Sequence, residues 1–190
     1  QIRKGSNDGK VYNFSAYFQH LEDRIRNADI AIANMEYTLA GQPYTGYPAF
    51  SAPDSYASYF SEIGFDVFLT SNNHIYDKGA RGAERTIMEF EKLGISIAGI
   101  ASDQQMYDEV FPLAIECKGV TIAILNATYG TNVGSGKEWP KILRLNDKEA
   151  LATALGKASG CDIALVFPHW GTEYELAHSM AQERDAKWFV

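Results

Sequence analysis

Three short apolar runs, each opened by an aspartate, constrain this chain more than any other feature. They read Asp29-Ile-Ala-Ile-Ala-Asn34, Asp66-Val-Phe-Leu-Thr-Ser71 and Asp162-Ile-Ala-Leu-Val-Phe167. Runs this short, with no polar residue on alternate positions, read as strands covered on both faces. Helical patterns lie between them. Residues 12–27 place Phe14, Phe18, Leu21 and Ile25 on one face of a helix. Asp54 is expected to cap a second helix ending at Gly64, whose missing Cβ suits the left-handed position beyond a helix end. A third helix over 81–93 closes at Gly94 before a strand at 95–98, and a fourth over 147–159 leads into the last apolar run. Residues 111–117 and 120–126 read as a hairpin turned at Lys118-Gly119, and residues 127–142 as a loop. Helices alternating with buried strands, interrupted by one hairpin, predict an α/β fold, largely parallel with an antiparallel section.

The three runs also rhyme just past their far ends. Seven residues beyond Asp29, Asp66 and Asp162 stand Glu36, Asn73 and His169. If the three strands are parallel neighbours, these side chains emerge at similar depth beyond the carboxyl edge of the sheet, where open α/β sheets bind ligands. Carboxylate, amide oxygen and imidazole form a mixed O/N donor set that suits Mn²⁺, Fe or Zn²⁺, with Mg²⁺ accommodated by more waters. His74, beside Asn73, is placed to give a proton to a leaving group. Asp77, Glu173 and Glu175 are carboxylates that could orient the imidazoles. Each motif alone has a plainer reading: Asn72-Asn73-His74 as a capped turn, His169-Trp170 as a packed histidine, Glu36 as a solvated carboxylate. Their coincidence at three equivalent strand ends favours a site. His20 falls on the exposed side of the first helix.

Charge narrows the possible substrates. The 24 acidic and 17 basic residues leave a formal charge of −7, which argues against a nucleic-acid or anionic-membrane surface. An anionic substrate would need a local cation. Cys117 and Cys161 make neither a disulfide framework nor a CxxC pair. No apolar stretch reaches the about 18 residues of a membrane span. Residues 131–138, TNVGSGKE, fail as a phosphate-binding loop, with Thr131 at the first glycine position and Glu138 in place of Ser or Thr. The tyrosine-rich segment Tyr37–Tyr56 reads as a cleft wall able to stack on a sugar or peptide, or as packing. The start at Gln1 and the amphipathic pattern running to Val190 read as a piece cut at both ends.

Together, Asn34-Met-Glu36, Tyr47-Pro-Ala-Phe-Ser-Ala-Pro53, Ser71-Asn-Asn-His74 with Asp77 and Gly79, and His169-Trp-Gly-Thr-Glu173-Tyr resemble the bacterial capsule-synthesis family CapA, or PGA_cap. That resemblance covers most of residues 10–190, including Gln182, and implies one domain over 1–190. It implies a calcineurin-like metallophosphatase sandwich, two mixed sheets flanked by helices, incomplete at both termini. Two divalent ions are expected, with Glu36, Asn73 and His169 among their ligands and His74 as general acid. Asn34, Asn72, Asp77, Trp170 and Glu173 lie in the same motifs and are expected to support the ligands or face the substrate. An upstream Gly-Asp and a downstream Gly-x-His-x-His segment would supply further ligands. The implied role is in the cell envelope, with other capsule-synthesis proteins. It is either hydrolysis of a phosphoester or a poly-γ-glutamate amide, or non-catalytic binding of metal or polymer.

Overall fold

The computed structural model describes residues 12–190. After two short helices, α1 (Ser15–Phe18) and α2 (Glu22–Arg26), come β1 (Ile32–Asn34), α3 (Asp54–Glu62), β2 (Val67–Leu69), α4 (Gly79–Lys92) and β3 (Ser96–Ala98). Next come β4 (Ile100–Ala101), α5 (Gln104–Val110), β5 (Leu113–Cys117), β6 (Val120–Thr128), β7 (Lys141–Ile142), α6 (Lys148–Ala158), β8 (Ile163–His169) and α7 (Met180–Phe189).

The strands form two facing three-stranded sheets, with β4 and β7 pairing as a small ribbon. In the first, β1, β2 and β3 are parallel, with Asn34 opposite Leu69 and Leu69 opposite Ala98. In the second, β6 pairs antiparallel with β5 and parallel with β8. Side-chain alternation builds the layers. Val67, Leu69, Ala98, Ile122 and Ile124 meet between the sheets. On the outer face of the first sheet, Phe68 and Ile97 pack with Phe60, Ile87 and Phe90 of α3 and α4. On the outer face of the second, Leu125 and Ala127 pack with Leu151 and Ala154 of α6 and with Val110 of α5. The result is a helix–sheet–sheet–helix sandwich.

The strand-opening aspartates act as register pins. The Asp66 carboxylate accepts the Ala31 N–H at 2.7 Å, and Asp162 accepts both the backbone N–H and the hydroxyl of Thr121, at 2.8 and 2.6 Å. Those bonds hold the Asp162 carboxyl below its ordinary range. Asp29 instead pairs with Lys118 of the hairpin turn. Lys118 and Gly119 both have positive φ, at 52° and 79°, which is the geometry of a two-residue turn matched to the strand twist.

Several expectations need correction. β8 is not a neighbour of β1 and β2; it belongs to the second sheet, where Asp162 and Thr121 pin it to β6. The expected first helix breaks at residues 19–21, leaving Leu21 48% exposed. Phe14 and Phe18 are held by rings of α3, Phe14 against Tyr56 and Phe18 against Phe60, and Ile25 joins the same core. Asp54 is the first residue of α3 and not its cap, because both its oxygens, at 2.8 Å, take the fork of Arg85. That bidentate pair ties the start of α3 to α4. Helix α5, capped by the Asp103 side chain, was hidden in a polar segment, and the expected 127–142 loop contains β7. Gln182 completes a capping box with Ser179 at the start of α7.

One buried amide joins the two sheets. Asn126 of β6 accepts the Ser71 N–H at 2.6 Å and donates to the Phe167 carbonyl of β8 at 2.9 Å. The contact passes where Gly99 has no side chain. A Cβ there would lie 2.3 Å from the Asn126 oxygen and 2.5 Å from Ser71 N, at a φ of +117°. Asn126→Ala strands a buried N–H and carbonyl, and should lower unfolding free energy by about 2–4 kcal/mol. Urea denaturation followed by circular dichroism checks this; a loss below about 0.5 kcal/mol contradicts the seam.

Candidate active site

At the carboxyl ends of β1 and β2 the chain enters loops whose backbone groups no longer have strand partners. The Ser71-Asn72-Asn73-His74 segment resolves this with side chains. The Ser71 hydroxyl donates to the Gly99 carbonyl at 2.7 Å. Asn72, fully buried, donates to the Met35 carbonyl at 3.0 Å and accepts the His74 N–H at 3.1 Å. With the segment so fixed, Asn73 and His74 point toward Glu36 from β1 and His169 from β8. His169 Nε2 donates to Asn73 Oδ1 at 2.9 Å and lies 3.9 Å from Glu36 Oε1. His74 Nε2 is 4.0 Å from the same Glu36 oxygen.

The two imidazoles sit in different surroundings. His74 is 8% exposed and its Nδ1 lies 2.7 Å from Asp77 Oδ2. A carboxylate only accepts, so Nδ1 carries the proton and Nε2 faces Glu36. Asp77 is itself held: the same oxygen accepts the Phe50 N–H at 2.7 Å. Its other oxygen is buried without a partner among the described residues. The Phe50 ring packs edge-on against His74, centroids 4.6 Å apart. Among the described residues His169 has no carboxylate within hydrogen-bond distance of its ring. Burial pushes its imidazole below the ordinary value, against the opposing pull of Glu36, and His74 lowers it further. The neutral ring is the form that ligates metals.

Of the remaining sequence candidates, Asn34 donates to Glu36 Oε2 at 3.1 Å and so orients that carboxylate. Trp170 is not in the group; its ring packs on Phe189 of α7 and on the core beside α6. Glu173 is exposed in the loop after β8, with no hydrogen bond or ion pair to these residues among those described. Asn132 escaped the sequence reading. Its N–H donates to the Asn73 carbonyl at 2.8 Å, and its side-chain nitrogen lies 3.4 Å from both ring nitrogens of His74. Because β6 runs parallel to β8, extending the strand-end count to β6 would have pointed to the loop that holds it.

Among the described residues, no group of three or more His, Cys, Asp or Glu is arranged to hold a metal ion. The candidate donors include an amide. Glu36 Oε1, Asn73 Oδ1 and His169 Nε2 are separated by 2.9 and 3.9 Å along the two measured edges. Ligands bound to one ion at about 2.0–2.2 Å stand roughly 3–3.5 Å apart. The mixed O/N set is the chemistry such an ion takes, and the 2.9 Å edge is close to that spacing. The 3.9 Å edge is wider, so Glu36 would have to close in and His169 Nε2 to give up the proton it shares with Asn73.

The fold is that of the metallophosphoesterase-like proteins. A solved structure from Staphylococcus aureus, described as a putative 5′-nucleotidase in complex with α-ketoglutarate, superposes with a TM-score of 0.54 at 14% identity, covering 90% of this chain and 35% of that one. The family described as bacterial capsule synthesis protein PGA_cap matches residues 1–190, and the chain belongs to it. The capsule biosynthesis protein CapA of Bacillus anthracis is 27% identical over 94% of this chain and 46% of its own length. The PGA biosynthesis protein CapA of Bacillus subtilis (strain 168) is 28% identical over 83% and 43%. The chain thus spans less than half the length of these relatives.

Removing Asp77 should release the His74 ring. In ¹⁵N-resolved NMR, Asp77→Ala is expected to replace a single Nδ1–H tautomer of His74 with a mixture while leaving the His169 pattern in place. An unchanged His74 pattern would show that the carboxylate does not set the ring.

Proposed function

We propose that this chain carries a metal-dependent phosphoester-hydrolysing site used in building a poly-γ-glutamate capsule at the cell envelope. The observation that carries the reading is the meeting of Glu36, Asn73, His74 and His169 from the ends of strands in two different sheets. An ordinary turn has no need to bring a buried, carboxylate-backed histidine to a second histidine and a glutamate. Glu36, Asn73 and His169 would hold a divalent ion, Mn²⁺, Fe²⁺, Zn²⁺ or Mg²⁺. Such an ion supplies Lewis-acid polarisation and a bound water of lowered pKa. The three donors accommodate one ion. A pair about 3.5–4 Å apart requires donors from outside this group.

The protein's own part is proton delivery and orientation. Asp77 holds Nδ1 and so fixes the ring, leaving Nε2 as the nitrogen that would pass a proton to the departing oxygen. Asn34 holds Glu36, and Asn72 holds the backbone beneath both asparagine and histidine. Asn132 stands over the ring of His74 with an N–H donor for a developing negative charge. The family and the relatives' names support a place among capsule-polymer proteins. No helix among the described residues is long and apolar enough to cross a membrane.

Metal analysis and turnover of p-nitrophenyl phosphate with added Mn²⁺ test the reading on the intact protein. Glu36→Ala and His169→Ala should lose bound metal. His74→Asn should keep it and lose about 10²–10⁴-fold in turnover. Turnover retained in His74→Asn removes that residue as the acid. Metal bound with no turnover of any phosphoester supports the non-catalytic reading, a metal- or polymer-binding part of the capsule assembly. No metal after add-back of Mn²⁺, Fe²⁺ or Zn²⁺ rejects the hydrolytic reading and any metal-binding role, and leaves polymer or partner binding as the capsule role.

A further inference from the structure

Beside the candidate site opens a cleft of about 990 Å³, lined by five tyrosines together with Phe50, Glu36 and Lys78. It is continuous with the site through two residues: Glu36 belongs to both, and Phe50 packs on His74 while its N–H is held by Asp77. The wall is a folded-back loop. Thr45 and Ser51 exchange backbone hydrogen bonds at 3.0 and 2.9 Å, and Ala52 N–H reaches the Thr38 carbonyl at 2.8 Å. Its rings are partly committed to the core, with Tyr37 against Tyr56 and Tyr56 against Phe14. Tyr47 is 87% exposed and Tyr44 half-buried at the mouth.

The lining selects among ligands by its chemistry. Tyrosine faces take a flat apolar surface, and their hydroxyls take its polar edge. A cleft of this volume matches a small molecule rather than a strand of polymer. Among the described residues the lining has one cation, Lys78, and no carboxylate pairs with it. One ammonium cannot balance the repeating carboxylates of a γ-glutamyl chain, in a protein already at −7. It does suit a ligand with one anionic group.

Resting on the phosphoester reading above, we infer that this cleft is the recognition subsite for the unreacting half of the substrate. That half is a ring with a flat face, aromatic or sugar, laid on the tyrosines and carrying its phosphate to Glu36 and His74. The substrate is thus a small ring-bearing phosphoester, not the capsule polymer itself.

Calorimetric titration of the full chain, with and without Mn²⁺, tests this. The probes are phenylphosphonate, methylphosphonate, glucose 6-phosphate, phenyl β-glucoside and tri-γ-glutamate. Phenylphosphonate or glucose 6-phosphate should bind on the order of three- to tenfold tighter than methylphosphonate. That advantage should vanish in Tyr47→Ala and in Tyr44→Leu, which keeps apolar bulk but no ring. Which of the two ring probes wins identifies the ring. Equal binding of all three phosphorus probes, or an advantage untouched by both variants, overturns the inference. So does tri-γ-glutamate binding tighter than either ring probe. The neutral glucoside separates this result from the metal reading: its tyrosine-dependent binding without metal supports the subsite even where the hydrolytic reading fails.

Discussion

The side-chain amide of Asn126 is the contact on which the arrangement of this molecule turns. Two sheets packed through aliphatic side chains can slide, because the hydrophobic effect is not directional. A buried amide cannot, since each polar atom it leaves unmatched costs free energy. By taking the Ser71 N–H of one sheet and giving a hydrogen bond to Phe167 of the other, Asn126 fixes where the two carboxyl edges meet. Gly99 leaves the space for it. His169 can then reach Asn73 at 2.9 Å although the strands that carry them are never paired.

Within that frame the two imidazoles are differentiated by what lies behind them. His74 has a buried carboxylate on its far nitrogen; His169 has none among the described residues, and burial pushes its imidazole below the ordinary value. Sites with two similar groups do different work when their surroundings push them apart. On the proposed reading the division would be between a proton carrier and a metal ligand, and the acidic chain as a whole would make a local cation useful for any anionic substrate.

Much of this is legible in the sequence. Apolar runs located β1, β2, β6 and β8, glycines located the ends of α3 and α4, and the seven-residue count named Glu36, Asn73 and His169. Pairing was not legible. Residues 162–167 carry the same pattern as residues 66–71 whichever sheet they join, and the choice rests on Thr121, 41 residues away. Asn132 was missed for the same reason: an asparagine in a glycine-rich loop has no local feature showing that it ends above His74. Trp170 erred the other way, since its neighbour His169 is in the group while its own ring turns to the core. Trp170 is the first residue past β8, and its ring packs on Phe189.

The loop between β1 and α3 contributes most of the cleft wall and is anchored at its two ends, by Asn72 on the Met35 carbonyl, Thr86 and Arg85 on Leu39, Asp77 on the Phe50 N–H, and the core burial of Met35, Leu39 and Ala52. The groups that would do chemistry lie at strand ends, while most of those that would read a ligand lie in one contiguous segment. Insertions and substitutions in that segment need not disturb a single strand pairing. Relatives sharing the strand ends are therefore free to diverge in diet by rewriting about fifteen neighbouring codons, and swapping that segment between them would be the economical way to transplant preference.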